Sequence, residues 1–231
     1  MRGSYNLRIC VVIPAHNEAK FIASVVTAVR AKGPDVVVID DGSADETSPL
    51  AQQSGATVLR NEPRGGKGFS LKRGFAYVLE HNYDGVVAMD GDGQHSPDDL
   101  QNFLTVAQGK TMCIINGTRM GNTATMPFVR FMTNRFMSWM ISRICGRHIE
   151  DTQCGYRYIS ADVLRRIELT ATDFEIETEI LLKACRAGCQ FFSVPIKTIY
   201  RDEKSKIHPF KDTIRFFSYL SRELKNQKSQ K

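Results

Sequence analysis

Residues 86–100 read VVAMDGDGQHSPDDL. The first four are apolar without alternation, the pattern of a strand buried on both faces. The run stops on Asp90, Gly91, Asp92, Gly93, Gln94 and His95, and Asp98 and Asp99 follow. Ser96 is placed to cap a helix over SPDDLQNFLTVAQ, with Pro97 at its first position. A buried strand, an acidic turn and a helix thus follow one another directly.

The same unit recurs to either side. Apolar runs at 7–14 (LRICVVIP), 35–40 (DVVVID), 56–60 (ATVLR), 83–90 (YDGVVAMD) and 112–119 (MCIINGTR) predict five strands. Helices are predicted between them, over 17–33, over a stretch that ends at Gly55 with Asp45 as its cap, and over 66–82. Apolar strands alternating with helices specify an α/β fold with a parallel sheet covered on both faces. In such sheets ligands bind at the carboxyl ends of strands. Asp40 and Asp41, Asp90 and Asp92, and Arg119 all fall there.

Beyond residue 120 the pattern changes. A helix is expected over 127–146, rich in Met, Phe and Trp and punctuated by arginines. A strand-like CGYRYIS (154–160), a helix over 174–188 and strands over 189–200 follow. After a polar loop, a last helix over 209–224 places Phe210, Ile214, Phe217, Leu220 and Leu224 on one stripe. With 231 residues, one large domain is the natural expectation.

The formal charge is +6, and no acidic residue lies between Asp99 and Glu150. That interval holds Lys110, Arg119, Arg130, Arg135, Arg143 and Arg147, and the C-terminal segment is also basic. Such patches suit phosphorylated substrates, nucleic acid or an anionic membrane surface. Nucleic acid is disfavoured, because the basic residues lack the aromatic interleaving of a single-strand groove. The six cysteines are scattered without zinc-site spacing, which fits a reducing cytoplasm. The polar start MRGSYNLR does not read as a leader, and no apolar run reaches the roughly 20 residues a bilayer requires.

Asp-x-Asp at a strand end brings two carboxylates within reach of one hard cation. Mg²⁺ and Mn²⁺ prefer oxygen ligands and keep positions open for phosphate oxygens. Gln94 offers a third oxygen. A calcium loop is excluded, because its sixth and twelfth positions here are His95 and Gln101 rather than Gly and Glu. Carboxylates at Asp40 and Asp41 can accept hydrogen bonds from a base or a ribose. The stretch NEPRGGKG (61–68), with Lys67, is glycine-rich and basic before a helix and suits a phosphate or diphosphate. It lacks the Walker spacing, and no G-x-G-x-x-G follows the first strand, so a nicotinamide dinucleotide is disfavoured. These residues point to a nucleoside diphosphate held by a metal.

The chain resembles the family 2 glycosyltransferases of GT-A fold, and among them the polyprenyl-phosphate sugar synthases of the dolichyl-phosphate mannose synthase type. The resemblance rests on VVIPAHNEA, VVVIDDGSADET, RGGKGFSLKRGF, MDGDGQHSPDDL, NGTR, DTQCGYR, FEIETEILLKACRAG and VPIKTIYRDEKSKI. It implies one GT-A domain over 1–231, with a nucleotide-sugar-binding half over about 7–120. The acceptor half, with amphipathic basic helices, would cover about 121–231. By position, Pro14, Ala15, Asn17, Glu18, Asp40 and Asp41 would line the nucleotide pocket, with Lys67 and Asp90 also on the nucleotide sugar. Asp90, Asp92 and Gln94 would hold Mg²⁺ or Mn²⁺ on the diphosphate. Arg119, Arg130, Asn134 and Arg201 would bind the acceptor phosphate. Lys204, Ser205 and Lys206 would belong to a mobile loop. Asp92, Arg119 and Asp151 would be the catalytic set.

The implied reaction moves a hexose, mannose from GDP-mannose or glucose or an N-acetylhexosamine from a UDP-sugar, to a polyprenyl or dolichyl phosphate. A lipid monophosphate is already an anion near neutral pH and needs no general base, so one in-line displacement would invert the anomeric carbon. Arginines would hold the phosphate through bidentate contacts. The implied setting is cytoplasmic and peripheral at the inner face of the membrane, with a homodimer or a membrane partner protein compatible. Two alternatives stand beside it. One is transfer to a saccharide hydroxyl with Asp151 as general base, where otherwise Asp151 would orient the acceptor loop. The other is a non-catalytic nucleotide-sugar-binding module. Glu177 sits on a helix that can face the pocket, although a helical glutamate usually faces solvent.

Overall fold

The computed structural model describes residues 7–119 and 128–197, without the side chains of residues 128 and 130. Seven strands form one sheet: β1 (Ile9–Ala15), β2 (Asp35–Asp40), β3 (Thr57–Arg60), β4 (Gly85–Ala88), β5 (Cys113–Thr118), β6 (Arg157–Ser160) and β7 (Gln190–Pro195). Their order is β3-β2-β1-β4-β6-β5-β7. All pairings are parallel except those of β6, which runs antiparallel between β4 and β5. The five early strands therefore appear where the apolar runs predict them, and the sheet is mostly parallel. The insertion of β6 is a feature that apolar runs do not reveal.

The central strands β1 and β4 are apolar because each face carries its own core. Along β1, Val11 and Ile13 face one core, which packs on α1 (Ile22–Arg30) and α4 (Leu100–Ala107). Cys10 and Val12 face the other, packed on α3 (Lys67–Glu80), α5 (Phe128–Cys145), α6 (Ala161–Arg166) and α7 (Ile176–Arg186). At about 25 cal/mol per Å² of apolar surface removed from water, these two layers supply the main driving force for the fold.

Helix boundaries differ from expectation where the chain serves the strand ends. The helix predicted from residue 17 begins at Ile22, because Asn17 is left-handed (φ 55°) and its side-chain oxygen accepts the Ala44 N–H at 2.8 Å. Residues 16–20 form a turn facing the end of β2. Asp45 stands one residue before the cap position of α2 (Thr47–Gln53), which Glu46 occupies without a side-chain bond; from there it accepts the Thr47 N–H, and also the Ala19 N–H, both at 3.1 Å. Ser96 caps as predicted, accepting the Asp98 N–H at 3.3 Å, with Pro97 opening a 3-10 turn that leads into α4. The predicted strand over 198–200, the polar loop and the last helix lie outside the described residues.

Candidate active site

In the sheet, β2 and β4 flank β1, so Asp40 and Asp41 end one neighbour of β1 while Asp90 and Asp92 follow the other. Pro14 and Ala15 end β1 between them, with the Asp41 N–H bonded to the Ala15 carbonyl at 2.8 Å.

The pair after β2 is saturated. Asp40 is fully buried; it accepts the Ser43 N–H at 2.9 Å, the Ser48 hydroxyl, and Arg60 at 2.7 Å. Asp41 accepts Asn61 at 3.0 Å, the Gly65 and Gly66 N–H groups at 2.8 and 2.9 Å, and Arg64 at 3.3 Å. Burial alone would raise both carboxyls, but these donors hold both below the ordinary carboxylate range. Beside them, Asn17 donates its N–H to Ser43 at 2.9 Å, and the buried Glu18 donates its N–H to Thr47 at 2.8 Å.

The glycine-rich stretch 61–68 is tied to the end of β2. Two of its N–H groups already hold an anion, the carboxylate of Asp41. Its glycines answer a packing demand: a Cβ on Gly66 would come within 2.6 Å of the Thr172 carbonyl oxygen, and one on Gly68 within 2.8 Å of Ala171 O. The segment at 170–172 is itself pinned, because the buried Glu179 accepts the N–H groups of Thr170 and Ala171.

The pair after β4 is poor in donors. Asp90 meets Lys67 Nζ at 2.7 Å. Burial alone would raise its carboxyl, but Lys67 overrides that and holds it down at about 2. Asp92 accepts only the Gln94 N–H, at 2.9 Å, among the described residues. Burial and then the neighbouring Asp90 push its carboxyl up to about 6. Gln94 is half-buried and its side-chain amide makes no hydrogen bond among the described residues. His95 Nδ1 accepts the Asp90 N–H at 3.2 Å, and burial pushes the imidazole down to about 4, so the ring is neutral. Its ring stacks on Tyr156 at 5.0 Å. The other acids of the opening stretch are used elsewhere. Asp98 pairs with Lys32 at 2.8 Å, and Asp99 accepts the Lys197 N–H at 2.7 Å beyond β7.

A divalent ion fits the β4 pair. Two carboxylates and a neutral amide oxygen are hard ligands, and the raised Asp92 carboxyl marks negative charge without a matching cation. No cluster of three His, Cys, Asp or Glu ligands exists among the described residues.

Beyond β5, Arg119 and Asp151 are both buried and joined by two bonds, Nε to Oδ2 at 2.8 Å and an η nitrogen to Oδ1 at 2.9 Å. Asp151 also accepts the Gln153 N–H at 3.1 Å. Asn134, on α5, is buried, and its side-chain nitrogen has no partner among the described residues. The side chain of Arg130, and Arg201, Lys204, Ser205 and Lys206, lie outside the described residues.

Arg157 escapes the sequence reading, and Glu177, open above to either the pocket or solvent, points inward: it lies 3.2 Å from Lys67 and 3.3 Å from Arg157. Arg157 is 1% exposed and binds Asn116 at 2.7 Å and the Cys154 carbonyl at 3.1 Å. The available signal was an arginine between Tyr156 and Tyr158 in a strand otherwise built of core residues.

Comparison with known proteins places this geometry in context. The Glycosyl transferase family 2 model matches residues 10–167. The chain is 30% identical to an undecaprenyl-phosphate mannosyltransferase of Micrococcus luteus, covering 85% of each protein. It is 27% identical to a UDP-N-acetylglucosamine–dolichyl-phosphate N-acetylglucosaminyltransferase of Methanococcus voltae, covering 84% of this chain and 86% of that one. Among solved structures, a glucosyl-3-phosphoglycerate synthase of Mycobacterium tuberculosis, in complex with Mn²⁺, UDP and its product, superimposes with TM-score 0.66 at 21% identity. That match covers 86% of this chain and 73% of the other. At this identity the likeness speaks to the fold, which is that of GT-A glycosyltransferases.

Proposed function

The chain belongs to glycosyl transferase family 2, and from that premise we propose that it transfers a hexose or N-acetylhexosamine from a nucleoside diphosphate sugar to a polyprenyl phosphate. The observation that carries this reading is the donor-poor pair Asp90 and Asp92 at the carboxyl edge of the sheet, beside a neutral amide oxygen and a lysine. Relatives named for transfer to undecaprenyl or dolichyl phosphate support the acceptor class.

Asp90, Asp92 and Gln94 would hold Mg²⁺ or Mn²⁺ against the donor diphosphate. When bound, such an ion neutralises charge on the departing nucleoside diphosphate. The saturated Asp40 and Asp41 act indirectly: they fix the 40–48 turn and the 61–66 loop, leaving Pro14, Ala15, Asn17 and Glu18 to border the nucleotide. Arg119, fixed by Asp151, would meet the acceptor phosphate together with the buried amide nitrogen of Asn134. Arg130, Arg201 and the 204–206 loop complete that proposal by resemblance. An acceptor phosphate oxygen forms the bond to the anomeric carbon as the bond to the nucleoside diphosphate breaks, and no proton has to move. The geometry of Asp151 supports this over transfer to a hydroxyl, since a carboxylate holding a bidentate arginine is a poor general base.

The site would work at a membrane surface. No helix among the described residues is long and apolar enough to cross a bilayer. On α5, however, Val129, Met132, Phe136 and Trp139 are exposed at helical spacing, Trp139 by 60%. Arg135 and Arg143 are exposed on the same acid-free helix. An apolar stripe flanked by arginines fits the interface of an anionic bilayer. Trp139 is the only tryptophan, so its emission should shift to the blue on anionic vesicles and less on neutral ones. An unchanged spectrum on anionic vesicles contradicts docking through α5.

The reaction is tested with purified protein, Mn²⁺, a panel of labelled nucleotide sugars and polyprenyl phosphate in detergent. Label should enter the organic phase from one donor. Donor consumption only when oligosaccharides are supplied would replace the lipid acceptor with a hydroxyl and return Asp151 to the role of base.

A further inference from the structure

Lys67 stands at the start of α3 with its side chain only 16% exposed, between Asp90 (2.7 Å) and Glu177 (3.2 Å). One cation is thus shared by two carboxylates, and one of those carboxylates belongs to the metal pair. The second cannot drift. Arg157 is bound to Asn116, to the Cys154 carbonyl and to the Glu177 carbonyl, and it holds the Glu177 carboxylate at 3.3 Å. The far side is closed by backbone. A Cβ on Gly155 would sit 3.1 Å from both Lys67 Nζ and the Glu177 carboxylate, and 3.3 Å from Asp90 Oδ2.

We propose that Lys67 is a resident counter-ion for Asp90, positioned by Glu177, and that it exchanges from Asp90 to the donor diphosphate when the metal–nucleotide complex enters. This rests on the metal-diphosphate reading above. The physical reason is competition. A lysine at hydrogen-bond distance and a divalent cation cannot both have first claim on the same carboxylate oxygen, so Lys67 opposes metal binding alone. A diphosphate offers the displaced ammonium a new anion, so Lys67 favours metal and nucleotide together. Glu177 keeps the ammonium within reach of both arrangements. It is therefore a positioning residue, acting through Lys67. The device gives ordered binding: Asp90 stays neutralised until metal and donor arrive as one species.

The test is a Mn²⁺ titration of the full chain, followed by electron paramagnetic resonance, without nucleotide and with GDP or UDP. Lys67→Met should bind Mn²⁺ about tenfold tighter than wild type without nucleotide, a difference of about 1.4 kcal/mol. With nucleotide the sign should invert, and Lys67→Met should bind Mn²⁺ more weakly than wild type. Glu177→Gln, which keeps the shape of the side chain, should weaken binding in the Lys67 background and have little effect in Lys67→Met, a non-additivity that a merely structural role would not produce. If wild type binds Mn²⁺ but Lys67→Met gains nothing without nucleotide, or changes with the same sign in both conditions, the exchange is overturned. If Lys67→Met does not fold, additive effects of Glu177→Gln and the isosteric Lys67→Gln overturn it equally. If wild type binds no Mn²⁺ even with nucleotide, the metal reading itself falls.

Discussion

At the end of β2, Asp40 and Asp41 accept seven hydrogen bonds, from three and four donors respectively. After β4, Asp90 and Asp92 have one lysine and one backbone amide. Both pairs follow an apolar strand and precede a glycine, so they look alike in sequence. Their environments differ. A carboxylate ringed by donors is already neutralised by the fold. Asp92, half-buried beside Asp90 and with one donor, is costly for the folded chain unless a cation arrives. Ligand chemistry is therefore found by counting donors as well as acids.

The largest test breaks the β4 pair. Asp92→Ala should lower transfer by about 10³-fold, the scale expected when a charge-stabilising ligand is lost, with circular dichroism unchanged. Breaking the β2 pair should act through stability instead. Asp41→Ala leaves the Gly65 and Gly66 N–H groups without their acceptor and takes one of two acceptors from the Asn61 amide, and should cost about 2–4 kcal/mol in urea unfolding. Residual activity per folded molecule should fall far less than in Asp92→Ala. Equal losses of activity with equal stability would erase the distinction between the pairs.

A smaller test sharpens the comparison through pH. The Asp92 carboxyl is raised to about 6 in the folded protein, above an unfolded value of about 3.9. Stability linked to its protonated form is therefore present below about pH 4 and lost as pH rises through 6. Without metal, Asp92→Asn should be more stable than wild type by about 1–2 kcal/mol at pH 7.5, after allowing for partial exposure, and the gain should vanish near pH 4. At the β2 end, where the carboxyls are lowered, Asp41→Asn should lose stability at pH 7.5 and the loss should shrink as pH falls below 4.

These contrasts also show what a sequence can disclose. The central early strands are legible because burial on both faces leaves a largely apolar run. The pair Asp90 and Asp92 is legible because Asp-x-Asp follows such a run. Sequence alone does not separate two demands on the RGGKG stretch, because glycine required for close packing against 171–173 has the same letters as glycine required for a phosphate. The antiparallel β6 was illegible in direction, since strand polarity is set by pairing with β4 and β5. The direction of Glu177 is left open by the sequence because it depends on Arg157, 20 residues away, whose guanidinium holds both its carboxylate and its carbonyl.

The most direct measurement compares label transfer to polyprenyl phosphate by wild type and Asp92→Asn, each normalised to folded protein. The account predicts that Asp92→Asn is at least as stable as wild type without metal yet transfers about 10³-fold more slowly. Transfer by Asp92→Asn at close to the wild-type rate would contradict the assignment of the β4 pair as the centre of the reaction.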